Sequence, residues 1–318
     1  MRILVVGAGA IGGYFGGRLL QAGRDVTFLV RPRRAQQLRD RGLGIRSAAG
    51  NVDIANPPVV QADELRSAFD LVVLSCKSYD LEAAIESFAP AVGPQTSVLP
   101  LLNGMGHLDT LEAKFGSAAV LGGQCFISAA LNADGSIQHL NESHTLTFGE
   151  RSGGSTPRVR AIQKELSGAG FDASPSETIL QDMWEKWIFI AAMAGLTCLM
   201  RASIGDVLAA DGPGIPSALL NECAQIAGSA GFAPRDAAVR RGQSVMTASG
   251  STMMASMLRD IERGAQTEVE HILGDLVRRQ NEASQGNSLL RLAYVHVKSY
   301  EARRAREALA AGATTGRS

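Results

Sequence analysis

At the start of the chain a run of aliphatic residues meets a cluster of glycines: MRILVVGAGAIGGYFGGRLLQAGRDVTFLVRPRR. Arg2 to Val6 shows no polar alternation, so the strand it forms must be covered on both faces, as in a parallel sheet. Gly7, Gly9 and Gly12 follow at once as G-x-G-x-x-G. Ile11 to Ala22 then has helical spacing, Gly23 stands where a helix C′ residue belongs, and Asp25–Val30 reads as a second strand. Strand, glycine turn, helix and strand in this order leave few folds open. Gly7 permits a tight turn, Gly9 lets a pyrophosphate reach the backbone, and Gly12 lets the helix pack closely on the strand. The N–H groups and dipole of a helix N-terminus favour that negative charge. Gly7, Ala8, Gly9, Ala10, Ile11 and Gly12 therefore form the candidate dinucleotide-binding turn.

The end of the second strand selects the nucleotide. A site for NAD(H) usually places an acidic residue there, to accept from the ribose 2′-OH. This chain offers Arg31, then Arg33 and Arg34. A guanidinium can hold a 2′-phosphate with paired hydrogen bonds, so NADP(H) is the expected cofactor and Arg31 its reader. Arg33 and Arg34 read equally well as a solvated helix start.

Further strands appear at Asp70–Cys76, ending in Lys77, and at Ser97–Asn103, ending in NGMG. Polar residues just past strand C-termini sit on the ligand-binding edge of a doubly wound sheet. The bland alternatives are a solvated loop lysine at 77 and turn chemistry at Asn103–Gly104. From about 119 to 149 short β-rich runs alternate with NADGS and NESH, which look like hairpin turns of an antiparallel extension to the sheet. Glu150 would end that extension within reach of a ribose. His107, His139 and His144 have no metal-binding spacing and read as structural or surface residues.

Beyond Ser174–Pro175–Ser176 the strand pattern stops. Helical segments are expected over 178–199, 214–231, 233–247, 252–263, 267–284 and 287–309, with a fraying tail AAGATTGRS. The expected fold class is α/β: a Rossmann-type dinucleotide-binding domain, residues 1–175, followed by an all-helical substrate and catalytic domain, residues 176–318.

Bulk properties exclude other classes. Formal charge is zero over 318 residues, so no global field attracts nucleic acid or an anionic membrane. Cys76, Cys125, Cys198 and Cys223 are far apart, which argues against a disulfide framework or a zinc knuckle. The apolar core of the N-terminus is too short for a signal peptide, and no uninterrupted apolar stretch reaches membrane-spanning length. A cytoplasmic protein without a metal is expected. Apolar helices in the second half leave room for a homodimer.

MWEKWIFIAAMAGLTCLM is the most informative helix. Lys186 shares a face with Ile190, Ala194 and Thr197. Desolvation destabilises an ammonium, which makes such a lysine a candidate proton donor to a carbonyl oxygen. The alternative is a lysine whose stem lines a core helix while its head reaches water. In STMMASMLRDIERGAQTEVEHILGD, Gly264 ends one helix, and Thr267 with Glu270 would cap the next. Ser256 lies on the first helix and Glu268 opens the second.

The glycine turn with Arg31, CKSYD, NGMG, WEKW and SMLRDIERGAQTE together resemble the ketopantoate reductase family over about residues 1–305. The resemblance implies NADPH-dependent reduction of 2-dehydropantoate to (R)-pantoate, in the pathway to pantothenate and coenzyme A. It implies that Lys186 is the general acid and that Glu268 assists it. Asn103 and Ser256 would contact substrate, and Lys77 would lie near cofactor and substrate carboxylate. Asn103 and Glu268 also fall among the implied cofactor contacts. One departure stands out: the family's lysine helix supplies two substrate-binding asparagines where this chain has Ile190 and Ala194. Each lost hydrogen bond removes about 1–3 kcal/mol of discrimination. A related, less polar 2-oxo acid would suit such a lining. The alternatives are another NADP-dependent hydroxyacid dehydrogenase and a non-catalytic NADP(H)-binding sensor.

Overall fold

The structure is a computed structural model that describes residues 1–280 and 288–315, with side chains through 310. It divides into two compact units, residues 1–102 with 106–183, and residues 103–105 with 184–318.

The first unit opens with β1 (Arg2–Val6), α1 (Ala10–Gln21), β2 (Asp25–Leu29) and α2 (Pro32–Arg41). Short strands β3 (Leu43–Arg46), β4 (Val52–Ile54) and β5 (Val59–Val60) follow. Then come β6 (Leu71–Leu74), α3 (Leu81–Phe88), β7 (Ser97–Pro100) and α4 (Gly106–Phe115). The unit closes with β8 (Gly122–Leu131), β9 (Ile137–Gly149), α5 (Pro157–Leu166) and β10 (Asp172–Pro175). Strands β5-β2-β1-β6-β7 form one parallel sheet. Every residue of β6 and β7 is buried, as continuous aliphatic runs require.

The expected antiparallel extension is instead a second, mixed sheet, β10-β9-β3-β4, with β8 paired to β9. A single parallel bridge, Val98↔Val120, leads from β7 toward it. NADGS does turn between β8 and β9, but NESH makes no hairpin. It lies within β9, where the register jumps from Ile127↔His144 to Ala129↔His139. Residues 140–143 bulge there, and the Asn141 side chain accepts from Ser128 N at 2.8 Å.

Helix α1 lies between the two sheets, and this explains its glycines. A Cβ at Gly12 would collide with Gly7 O and Ser75 Oγ, and one at Gly16 would lie 2.5 Å from the Phe28 ring. On the other face, a Cβ at Gly13 would strike Ile137, and one at Gly17 would lie 2.8 Å from Ile45. Glycine costs a helix about 1 kcal/mol per residue relative to alanine. Here that cost is offset by close approach to both layers. The helix ends as expected at Gly23, where Arg24 N donates to Leu19 O and Gly23 N to Leu20 O.

The second unit is helical. It is built on α6 (Ile179–Met200), α7 (Ile204–Asp211), α8 (Gly214–Ser229), α9 (Asp236–Met246), α10 (Ser256–Glu262), α11 (Asp275–Arg278) and α12 (Leu289–Thr315). The first turn of α6 belongs to the first unit, because Ile179 and Met183 pack on Gly122 of β8. The compact units therefore meet inside α6, not at 175. By length and composition α6 could cross a membrane, yet 67% of its apolar window is buried inside the protein. Helix α7 had no counterpart in the expected segments, although Ser203 and Asp206 form a capping box at its start.

The helix expected over 267–284 forms over 269–278, with a π-helical stretch, Glu270–Gly274, running directly into α11. The Thr267–Glu270 capping box does not form. Thr267 Oγ1 donates to Glu301 at 2.6 Å, while Glu270 pairs with Lys298 at 2.8 Å. Both partners come from α12, which sequence spacing could not foresee. Parts of the expected helices, 281–287, lie outside the described residues. Helix α12 continues through Thr315 into the tail expected to fray, and 316–318 also lie outside the described residues.

Gly16→Ala should destabilise the protein by about 1–3 kcal/mol despite its better helix propensity, because the methyl group meets the Phe28 ring. A urea denaturation midpoint equal to or above that of the parent would contradict this packing.

Candidate active site

In the first unit, the chain leaves β1 at Gly7 with φ +93°, and Gly7 N donates to Leu29 O at 2.9 Å. Gly9 is the N-cap of α1, whose start has no side-chain cap and no acidic residue in its first turn. A Cβ at Gly9 would meet nothing within 4 Å, so open space faces this helix end. Ser75 Oγ ties the turn by donating to Val6 O at 3.0 Å. A phosphate group fits this arrangement: backbone donors, a helix N-terminus and room for close approach.

Arg31 caps the start of α2 and is exposed; its guanidinium pairs with Asp80 at 2.7 Å. The hydrogen bond and charge of Asp80 raise its pKa above the ordinary arginine value. Arg34 is no solvated helix start. It donates from Nε to Ala8 O at 3.0 Å and from Nη1 to Gly135 O at 3.1 Å, so it braces the glycine turn. Burial lowers its pKa. Lys77 is exposed and precedes the short 3-10 turn Ser78–Asp80. Glu150 does not serve a ribose. It is buried, and it accepts from Arg158 Nε at 2.7 Å and Thr156 Oγ1 at 2.6 Å. Arg158 foremost holds this carboxyl below its usual range. His139 and His144 are structural: their rings stack at 5.6 Å and bond to Ser47 and Tyr14.

In the second unit, Lys186 on α6 is 7% exposed and Glu268 is 9% exposed. The neighbouring Glu185 is committed to Arg235, with both carboxylate oxygens at 2.7 Å from the guanidinium. One residue after the lysine, Trp187 Nε1 donates to Ile272 O at 2.9 Å. That bond ties α6 to the segment carrying Glu268, whose own carbonyl accepts from His271 N and Ile272 N. The Asn103 turn joins the same unit. Gly104 has φ +81°, and a Cβ there would lie 2.9 Å from His271 O. Thr197 Oγ1 accepts from Ala255 N at 3.3 Å, which fixes the start of α10 and hence the exposed Ser256. Ile190 is half-buried and Ala194 fully buried, on the lysine's side of the helix.

Sequence reasoning missed His271, three residues after Glu268, although a histidine beside a suspected catalytic carboxylate is itself a signal. Burial foremost lowers its pKa; Glu268, Asp275 and a hydrogen bond with the Asn103 backbone act in the opposite sense.

A parallel sheet with an open glycine turn, followed in the chain by a helical unit, is the plan of a two-domain dinucleotide-binding protein. The family model described as ketopantoate reductase PanE/ApbA matches residues 3–153, and its C-terminal counterpart matches residues 178–301. The chain is an oxidoreductase of the ketopantoate reductase family. It is 39% identical over 303 residues to the uncharacterized oxidoreductase YkpB of Bacillus subtilis, covering 95% of this chain and 99% of that one. The crystal structure of 2-dehydropantoate 2-reductase from Methylococcus capsulatus matches with a TM-score of 0.83 at 27% identity, covering 96% and 98% of the two chains. D-mandelate dehydrogenase, solved with NADH and anilino(oxo)acetate, shares the fold with a TM-score of 0.84 at 23% identity, covering 96% and 99%.

A histidine whose folded pKa lies below its unfolded value opposes folding once protons become available. Stability from neutral His271 is present above about pH 6.5 and is lost as pH falls below it. His271→Gln should therefore lose less stability than the parent between pH 7.5 and 5.5, by thermal denaturation. An equal loss in both proteins would contradict the assignment.

Proposed function

We propose that this oxidoreductase reduces a 2-oxo acid to the 2-hydroxy acid with NADPH, the substrate being 2-dehydropantoate or a less polar relative. The observation that carries the reading is the buried Lys186, held by Trp187 to the segment that bears Glu268 and, through His271, to the Asn103 turn.

Gly7 to Gly12 would receive the pyrophosphate at the start of α1, and Arg31 would receive the 2′-phosphate. When bound, the reduced nicotinamide supplies the hydride that adds to the substrate's C2 carbonyl carbon. Lys186 donates a proton from Nζ to the carbonyl oxygen and stabilises negative charge as it grows there. Glu268 holds the amine in position. The Asn103 amide and Ser256 hydroxyl orient the substrate's carboxylate or hydroxyl, and Lys77 adds positive charge near the carboxylate. Asn103 and Glu268 also contact the cofactor in this reading.

Ile190 and Ala194 favour the less polar substrate. A site that offers no amide at these positions gains nothing from a substrate hydroxyl there. An NADPH-oxidation screen across 2-oxo acids, 2-dehydropantoate included, should give turnover, with branched apolar side chains equal to or better than 2-dehydropantoate. Lys186→Ala should lower kcat by about 10²–10⁴-fold with little change in NADPH affinity. Unchanged turnover in that variant would remove Lys186 from the mechanism. Tight nucleotide binding without turnover of any 2-oxo acid would favour a sensor instead.

A further inference from the structure

Arg31 does not stand alone at the end of β2. Its Nη2 lies 2.7 Å from Asp80 Oδ1, with 72% and 34% of the two side chains exposed. Arg31 follows β2, and Asp80 ends the short turn after β6. These two strands flank β1 on either side in the sheet. The ion pair thus links the elements on both sides of the strand that delivers the glycine turn. An exposed pair contributes little to stability, and although Asp80 is the N-cap residue of α3, its side chain makes no capping bond there and its carboxylate turns to Arg31 instead.

The two possible ribose substituents meet this pair differently. A 2′-phosphate brings about two negative charges at neutral pH and must share Arg31 with a carboxylate already bonded to it. A 2′-hydroxyl is a donor, and a carboxylate is the acceptor that suits it. Arginine thus favours the phosphorylated nucleotide, and aspartate penalises it while rewarding the other.

We infer that Asp80 is a specificity-determining residue for the cofactor's ribose 2′ position, and that it narrows the preference for NADPH so that NADH binds with comparable affinity. The inference rests on the nucleotide reading proposed above and deepens it. Selectivity here is a difference between two affinities, set by one attractive and one repulsive group.

The test needs no substrate. Dissociation constants for NADPH and NADH would be measured by nucleotide fluorescence on the parent, Asp80→Asn and Arg31→Met, with circular dichroism to verify folding. In the parent the two constants should lie within about tenfold of each other, with NADPH the tighter. Asp80→Asn should widen the ratio about five- to tenfold, chiefly by tightening NADPH. Arg31→Met should bring the ratio to about one or below, because the attractive group is gone while Asp80 remains. An Asp80→Asn variant whose ratio is unchanged or narrower overturns the inference while leaving the nucleotide reading intact. Failure of the parent to bind either nucleotide overturns both.

Discussion

Burying the amine of a lysine costs free energy in its charged form. Lys186 keeps 7% of its surface in contact with solvent, on a helix whose neighbouring positions are Trp184, Trp187 and Ile188. Taking such a charge out of water costs several kcal/mol unless partners offset it. Within the same unit, Glu185 pairs with Arg235, Trp187 fastens the helix to Ile272, and the Asn103 turn packs on His271. The first is an ion pair at a buried carboxylate, the second the hydrogen bond of a fully buried tryptophan, and the third a close backbone approach at a glycine.

The first unit solves a different problem, which is to bring bare backbone to one edge of a sheet. Helix α1 can do so because its glycines let it sit between two layers at close range. Ahead of it, Gly7 and Gly9 open the turn before its N-terminus, where the space beside Gly9 is clear. Ser75 and Arg34 hold that turn by donating to Val6 O and Ala8 O. The first unit thus holds the open glycine turn, and the second holds the buried Lys186 and Glu268.

Local patterns in the sequence were enough for the glycine turn, the cap at Gly23 and the apolar helix with its lysine, because each depends on residues close in the chain. Contacts made over long separations escaped. Arg34 looks like a surface residue until Ala8 O and Gly135 O are seen beside it. Glu150 looked available until Arg158 claimed it, and the Thr267 hydroxyl, which accepts from Val269 N, donates to Glu301 of α12 instead of closing a box with Glu270. The bulge at residues 140–143 disguised one long strand as two. Asp80 is the instructive case: nothing in KSYD alone says that its carboxylate meets Arg31, and the pair exists only because β2 and β6 flank the same strand.

The most direct measurement is the pH dependence of kcat/KM for a turned-over 2-oxo acid, in the parent and in Lys186→Arg. A proton donated by the lysine amine gives the parent a fall in rate on the alkaline side. Arginine keeps its proton through that range, so the fall should vanish or move to higher pH in the variant. The same alkaline fall in both proteins would show that another group delivers the proton, and Lys186 would lose the role assigned to it.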